Sequence, residues 1–370
     1  VKVEPLCLSS EHRPTPAQAA SWPELMESLA GLAQPSYTAV QTWVAEQAPD
    51  RQAALNAATQ ILNLRAHRAA GSPFEGDLQD LGSLFAPDRP WSASRLESYR
   101  ACPFLFFVGS VLGLEPRGEP AEGLDARQLG NIYHRLLEAL HQAPQVSDPA
   151  DLEQLLSVLE AVADPMLESA PREEGFRATA WWAQTRAEIL ENARRSLQAL
   201  AEQPGEFTPY QHEAAFGLEG APPLNIYDDE GRVGFCLRGL IDRVDRAPDG
   251  RLQVIDYKTG GPSAFTNKAV REGKKLQLPL YALAAQEALA LGTAVEGFYW
   301  HVQHAERSRF TLSSFDGGPE AAMRLAVEKA WEAVRGAREG HYSPHPPDEG
   351  CPTYCPAASF CWHYRPKSWK

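Results

Sequence analysis

VGFCLRGLIDRVDRAPDGRLQVIDYKTG, residues 233 to 260, reads as two strands joined by a tight turn. Val233, Phe235, Leu237 and Ile241 alternate with Cys236, Leu240, Asp242 and Val244, the pattern of a strand with two different faces. Pro248-Asp249-Gly250 supplies the turn, because proline presets φ and glycine tolerates a positive one. On the second strand Leu252, Val254, Asp256 and Lys258 share a face, so an aspartate and a lysine point the same way. Hairpin pairing brings Asp242 towards Asp256. Two carboxylates offer hard oxygen ligands to Mg²⁺ or Mn²⁺. Such an ion polarises a phosphoryl oxygen and acidifies a bound water. Lys258 can orient that water or offset growing negative charge. A lone D-x-K is most often a solvated surface pair. The second aspartate and the apolar strand before it point instead to a phosphodiesterase site.

Further pieces flank the hairpin in a fixed order. S-R-L-E-S-Y-R-A-C-P-F (94–104) and L-G-N-I-Y-H (129–134) precede G-L-I-D-R-V-D (239–245) and I-D-Y-K-T-G (255–260). Q-L-P-L-Y (277–281) and C-P-T-Y-C-P-A-A-S-F-C (351–361) follow. Together they resemble the PD-(D/E)XK nuclease superfamily. More narrowly, they resemble its RecB-type branch with an iron–sulfur cluster, as in the AddB component of bacterial helicase–nucleases. The resemblance implies an α/β restriction-endonuclease-like core, a small mixed sheet flanked by helices. It implies a Mg²⁺- or Mn²⁺-dependent deoxyribonuclease, an exonuclease on single-stranded DNA ends, working with a helicase partner in double-strand-break repair. By the same resemblance Asp242, Asp256 and His134 hold the metal and Lys258 assists catalysis. Gln277 and Tyr281, four apart on one helix face, lie along the site. An acidic residue on the first strand of the family's sheet makes Glu213 a further candidate ligand. Two alternatives stand beside this reading: a stand-alone CRISPR-adaptation nuclease of the same branch, and a non-catalytic DNA-binding scaffold. Loss of a carboxylate or of the lysine would favour the scaffold, and all are present.

Cys351-x₃-Cys355-x₅-Cys361 is compact, and three thiolates so close need a fourth ligand. Spacing alone admits Zn²⁺ or an iron–sulfur cluster. The resemblance implies Cys102, in its distant Cys-Pro, as the fourth ligand and [4Fe–4S] as the group. The x₃ gap departs from the more usual x₂. Cys236 reads as a buried core thiol, and Cys7 has no evident partner.

The 370 residues, 44% hydrophobic and 22% charged, suffice for a large core and two or more structural units. A net charge of −13 argues against a broad basic footprint. A local DNA path is still available at Lys268, Arg271, Lys274 and Lys275, or at His363, Arg365, Lys367 and Lys370. No run of 18 apolar residues suggests a membrane span. No export signal is visible, so a cytoplasmic protein is expected, and the initial valine suggests a piece of a longer chain. Residues 1–88 read as a helical segment, the tail of a helicase-like region or a linker, with helices over 22–32, 37–48 and 53–69. Residues 89–370 read as the nuclease domain. Its helices are expected over 91–100, 126–142, 151–170, 176–203, 276–291 and 318–339, and further strands over 211–218, 295–302 and 308–313. Ser92 or Ser94 can cap the first helix, with Glu97 at capping-box spacing from Ser94. His134 lies off the apolar stripe of the second. Trp181 and Trp182 read as core.

Overall fold

The computed structural model describes residues 15–21, 24–25, 28, 34–67, 76–78, 81–116, 123–203 and 205–367. Its strands are β1 (Thr208–Phe216), β2 (Leu224–Tyr227), β3 (Val233–Leu237), β4 (Gly239–Arg246), β5 (Arg251–Lys258), β6 (Thr293–His301) and β7 (Glu306–Thr311). The longer helices are α1 (Gln34–Gln47), α2 (Pro49–His67), α3 (Ala93–Ala101), α4 (Ala126–His141), α5 (Leu152–Glu173), α6 (Trp182–Ala201), α7 (Asn267–Arg271), α8 (Gln277–Leu283) and α9 (Gly318–Arg338).

Two compact units result, Val1–Ala70 and Gly71–Lys370. In the first, α1 and α2 bury Val44 and Leu55. The predicted helix over 22–32 falls mostly outside the described residues, as does Cys7. In the second, Phe85 already stacks on Trp91 at 5.1 Å, so core packing begins before residue 89.

The second unit is built on a five-stranded sheet in the order β1-β4-β5-β6-β7. Only the β5–β6 pair is parallel. A parallel pair needs a crossover, here the segment that carries α7 and α8. Leu252 to Tyr257 are all buried, as expected of a strand covered on both faces. Val254 and Tyr299 face one apolar cluster, with residues of α3, α8 and α9. Ile255, Tyr257, Phe298 and Trp300 face another, with residues of α4, α5 and α6. The expected mixed sheet between helices is therefore present.

Four local expectations are corrected. Residues 233–246 are not one strand. The backbone of Trp91 donates to Cys236 O at 2.8 Å and accepts from Arg238 N–H at 2.8 Å, which takes up the bonds around Leu237. β3 pairs with β2 in a separate two-stranded sheet, and only β4 enters the main one. Second, Ser92 caps α3, accepting from Arg95 N–H at 3.3 Å, and Glu97 reaches elsewhere. Third, α6 starts at Trp182, whose ring meets Phe176 at 5.0 Å, and Trp181 before it is 72% exposed. Fourth, the predicted helix over 276–291 ends as α8 at Leu283 and continues as a π turn over Ala284–Ala288. The expected turn forms, with Gly250 at φ +87°. No described helix is long and apolar enough to cross a membrane.

Candidate metal and catalytic centre

The centre lies where β4 and β5 part. Their ladder ends at the Arg243–Ile255 pair. Beyond it the backbone of Tyr257 turns both its polar groups to side chains. Its N–H donates to Asp242 Oδ2 at 2.6 Å, and its carbonyl accepts from His134 Nε2 at 3.2 Å. One strand residue thus aims a carboxylate from β4 and an imidazole from α4. Buried backbone groups must find partners, and these partners are the Asp242 and His134 side chains. The motif's other aspartate, Asp245, points away and binds Arg243 at 2.6 and 2.8 Å.

α4 is set by a reciprocal cap. Gln128 N–H donates to Asp125 Oδ1 at 2.7 Å, and Asp125 N–H donates to Gln128 Oε1 at 2.8 Å. Its apolar side buries Ile132, Leu136 and Leu140, while His134 is turned to Tyr257 on β5 and Asp242 on β4. With Nε2 on the Tyr257 carbonyl, Nδ1 faces Asp242 Oδ1 at 3.3 Å and Glu213 Oε1 at 3.8 Å. Glu213 sits in β1 at φ +46°, between the His212–Arg243 and Ala214–Ile241 pairs. A glutamate in the left-handed region costs on the order of 1–3 kcal/mol, and here that conformation presents its carboxylate to His134. Gly239 has a packing role: a Cβ there would lie 2.9 Å from Tyr281 Oη and 3.0 Å from the Phe216 ring.

Asp256 is fully buried. One of its oxygens forms a close ion pair with Lys258, and the other has no hydrogen-bond partner. Burial pushes this carboxyl up, the Lys258 ammonium pulls it down, and Asp242 pushes it up again; the net direction is upward. Burial opposes charge on Lys258, but Asp256 and Asp242 outweigh it and raise the ammonium. Burial likewise opposes charge on His134, yet Asp242 and Glu213 push it up to about 10. Lys258 Nζ also donates to Gln277 Oε1 at 3.2 Å. The Tyr281 hydroxyl lies against Gln277, and burial raises its pKa.

Among the described residues, His134, Glu213 and Asp242 bring three ligand atoms within 4.8 Å of one another. Oxygens with one imidazole suit a divalent cation. Buried Asp256, which feels the charges of Asp242 and His134, is a further carboxylate nearby, so the residues fit such an ion. Asp256 itself is turned to Lys258 and stands outside that trio.

The four basic candidates near the site are all paired. Lys268 and Lys274 meet Glu272 at 3.6 and 3.0 Å, Lys275 meets Glu97 at 3.8 Å, and Arg271 pairs with Asp316. Of the C-terminal candidates, Lys370 lies outside the described residues.

Cys102, Cys351, Cys355 and Cys361 line one small apolar cavity with Phe104 and Leu105. His345 N–H points at Cys102 Sγ and Arg365 N–H at Cys351 Sγ, each at 3.4 Å. Burial raises the Cys355 thiol and pushes Cys361 up to about 11. Cys236 is buried on β3, as expected of a core thiol.

Two contributors are invisible in the sequence pattern. The backbone of Tyr257 gives no sequence signal. Glu97 Oε1 accepts the N–H groups of Leu276 and Gln277 at 2.7 and 3.0 Å. Its three-residue spacing from Arg100, which reaches the same loop, is the one available clue.

A buried aspartate–lysine pair beside a three-ligand cluster, on a mixed sheet between helices, is the arrangement of a PD-(D/E)XK nuclease. The chain belongs to the PD-(D/E)XK nuclease superfamily, whose family model matches residues 90–362. It is similar to AddB proteins, which are named as components of an ATP-dependent helicase/deoxyribonuclease. The Moorella thermoacetica protein is 33% identical over 63% of this chain and 21% of its own length. The Symbiobacterium thermophilum protein is 32% identical over 60% of this chain and 19% of its own. The chain thus spans about a fifth of these relatives.

Proposed function

We propose that this chain is the nuclease part of an AddB-like component of a helicase–nuclease. It cleaves phosphodiester bonds in DNA, exonucleolytically, from single-stranded ends produced by a helicase partner in double-strand-break repair. The observation that carries the reading is the buried Asp256–Lys258 pair next to the His134–Glu213–Asp242 cluster. His134, Glu213, Asp242 and Asp256 would hold Mg²⁺ or Mn²⁺. A divalent cation there supplies Lewis-acid polarisation and a more acidic water. Asp256 and Gln277 hold the Lys258 ammonium where negative charge grows on the phosphoryl group. Tyr257 keeps Asp242 and His134 aimed without reorganisation. The paired basic residues leave little free positive charge near the site, so DNA must compete with Glu272, Glu97 and Asp316 for them.

The cysteine cavity is read as the seat of a [4Fe–4S] cluster, with Zn²⁺ as the lesser alternative. Four thiols in an apolar cavity supply a full ligand set.

The test is digestion of 5′- and 3′-labelled single strands with Mn²⁺, Mg²⁺ or a chelator. Metal-dependent release of short products from one end supports the reading. Binding without cleavage by protein of confirmed metal content would favour the scaffold alternative instead.

His134→Ala should lower cleavage by about 10–100-fold at limiting metal, with partial recovery at higher metal. Asp242 and Glu213 stabilise the imidazolium, and a cation must displace its proton. Titration calorimetry in buffers of different ionisation enthalpy should therefore find close to one proton released per Mn²⁺ at neutral pH. It should find clearly fewer in His134→Ala, where only the raised Asp256 carboxyl can still give up a proton. Equal proton release by both proteins would place the metal elsewhere.

A further inference from the structure

The turn that carries Gln277 is held from outside. α8 has Leu276 as its N-cap and no side-chain cap of its own. Glu97 Oε1, arriving from α3, accepts Leu276 N–H at 2.7 Å and Gln277 N–H at 3.0 Å. Tyr299 Oη accepts the next, Leu278 N–H, at 3.2 Å. The second Glu97 oxygen faces Lys275 Nζ at 3.8 Å. One turn along α3, Arg100 Nη2 donates to Glu272 O at 3.1 Å, and its Nη1 is anchored on Glu332 at 2.6 Å. The segment from Glu272 to Gln277 is thus tied to α3 at both ends. A carboxylate on the first N–H groups of a helix is a charge-assisted contact that is also favoured by the positive end of the helix dipole. The side chain it fixes, Gln277, accepts directly from Lys258.

We propose that Glu97 is a positioning residue for phosphodiester cleavage, holding Leu276 and Gln277 so that Gln277 places the Lys258 ammonium. The proposal rests on the nuclease reading. In this arrangement the carboxylate acts through two backbone bonds and the Gln277 side chain. α3 ends at Ala101, directly before Cys102, so the same helix joins the thiol cavity to the lysine. In cleavage this predicts a main effect on turnover, with DNA affinity rising at most modestly as Lys275 is released from Glu97. Misplacing a reacting group by about 1 Å costs on the order of 10²-fold in rate.

The test compares wild type, Glu97→Ala, Glu97→Gln, Gln277→Ala, the Glu97→Ala/Gln277→Ala double variant and Lys258→Ala. Steady-state kinetics on a labelled single strand are normalised to folded protein. Glu97→Ala should lower kcat about 10–100-fold with KM changed less than about twofold. Glu97→Gln keeps an acceptor oxygen and should recover most of that loss. The double variant should be no slower than Gln277→Ala, because residues acting in series are not additive. A general loss of stability would not give that pattern. Full additivity, or a Glu97→Ala kcat within twofold of wild type, overturns the proposal. So does unchanged kcat in Gln277→Ala, which decides the matter even if Glu97→Ala does not fold. Lys258→Ala separates the two readings. Cleavage by wild type that this variant abolishes secures the nuclease reading, whatever Glu97 does. A wild type that cleaves nothing overturns both.

Discussion

Asp256→Ala and Lys258→Ala are each expected to lower DNA cleavage by about 10³-fold or more, while affinity for a single strand stays within a few-fold. The size follows from where the two groups sit. Removing one preorganised group that stabilises developing charge typically costs about 10²–10³ in kcat. Here each deletion also damages its partner. Without Lys258, Asp256 is a fully buried carboxyl with Asp242 close by and no compensating cation, and its raised pKa would rise further. It would take up a proton and lose its use as an oxygen ligand. Without Asp256, Lys258 loses its ion pair and keeps the Gln277 hydrogen bond, the Tyr299 ring face and the more distant charge of Asp242. Asp256→Asn distinguishes shape from charge, since it keeps the volume but cannot neutralise Lys258; it should be nearly as inactive as alanine. Substrate affinity should survive because Asp256 is fully buried and Lys258 largely so, which leaves them little surface for a strand. Gel-shift binding and product release measured on the same protein samples give the answer. Cleavage within tenfold of wild type in either variant would remove this pair from the mechanism.

The hairpin around Asp242 and Asp256 was legible in the sequence because a two-residue period leaves few choices of face. The turn at Gly250 and the burial of β5 followed from short-range chemistry, whereas the Asp125–Gln128 cap of α4 was not read from the sequence. His134 and Cys102 were found only through the ordering of several weak motifs, since a histidine off an apolar stripe has no chemical signature alone. What the sequence hid were contacts made by backbone groups or between distant segments. Tyr257 acts through its peptide, so any residue type could occupy the position. Trp91 splits residues 233–246 into two strands by backbone bonds that no periodicity announces. Glu97 fitted a capping box three residues after Ser94, and that local explanation obscured its reach to Gln277. The basic residues at 268–275 suggested a DNA path, and only the fold shows each beside a carboxylate.

Replacing Cys102, Cys351, Cys355 or Cys361 with alanine should bleach a brown protein, lower its melting temperature by on the order of 10 °C and reduce cleavage together. The argument begins with chain connectivity. Cys102 precedes the whole catalytic sheet, and the other three thiols follow it. A group bound by all four closes a loop from residue 102 to residue 351. In the chain-entropy description, closing a loop of ~100 residues or more by one crosslink stabilises the folded state by about 5 kcal/mol. A cluster is not a disulfide, so only sign and scale transfer; ligation in the folded state alone adds stability by linkage. At about 2–4 °C per kcal/mol for a domain of this order, the stated drop follows. The thiols need the group as much as the chain does. Burial raises Cys355 and Cys361, so without a cation they stay protonated in an apolar cavity. Cleavage should fall through α3, which leads from Cys102 to Glu97 and on to Gln277. Cys236→Ala should keep the colour, because that thiol packs on β3 away from the cavity. Metal analysis, visible absorbance and thermal melts on anaerobically purified protein decide the question. A colourless protein with one zinc would exclude the cluster but keep the crosslink. An unshifted melting temperature in Cys102→Ala would exclude the crosslink itself, because no other thiol among the described residues can join the two ends of the nuclease sheet.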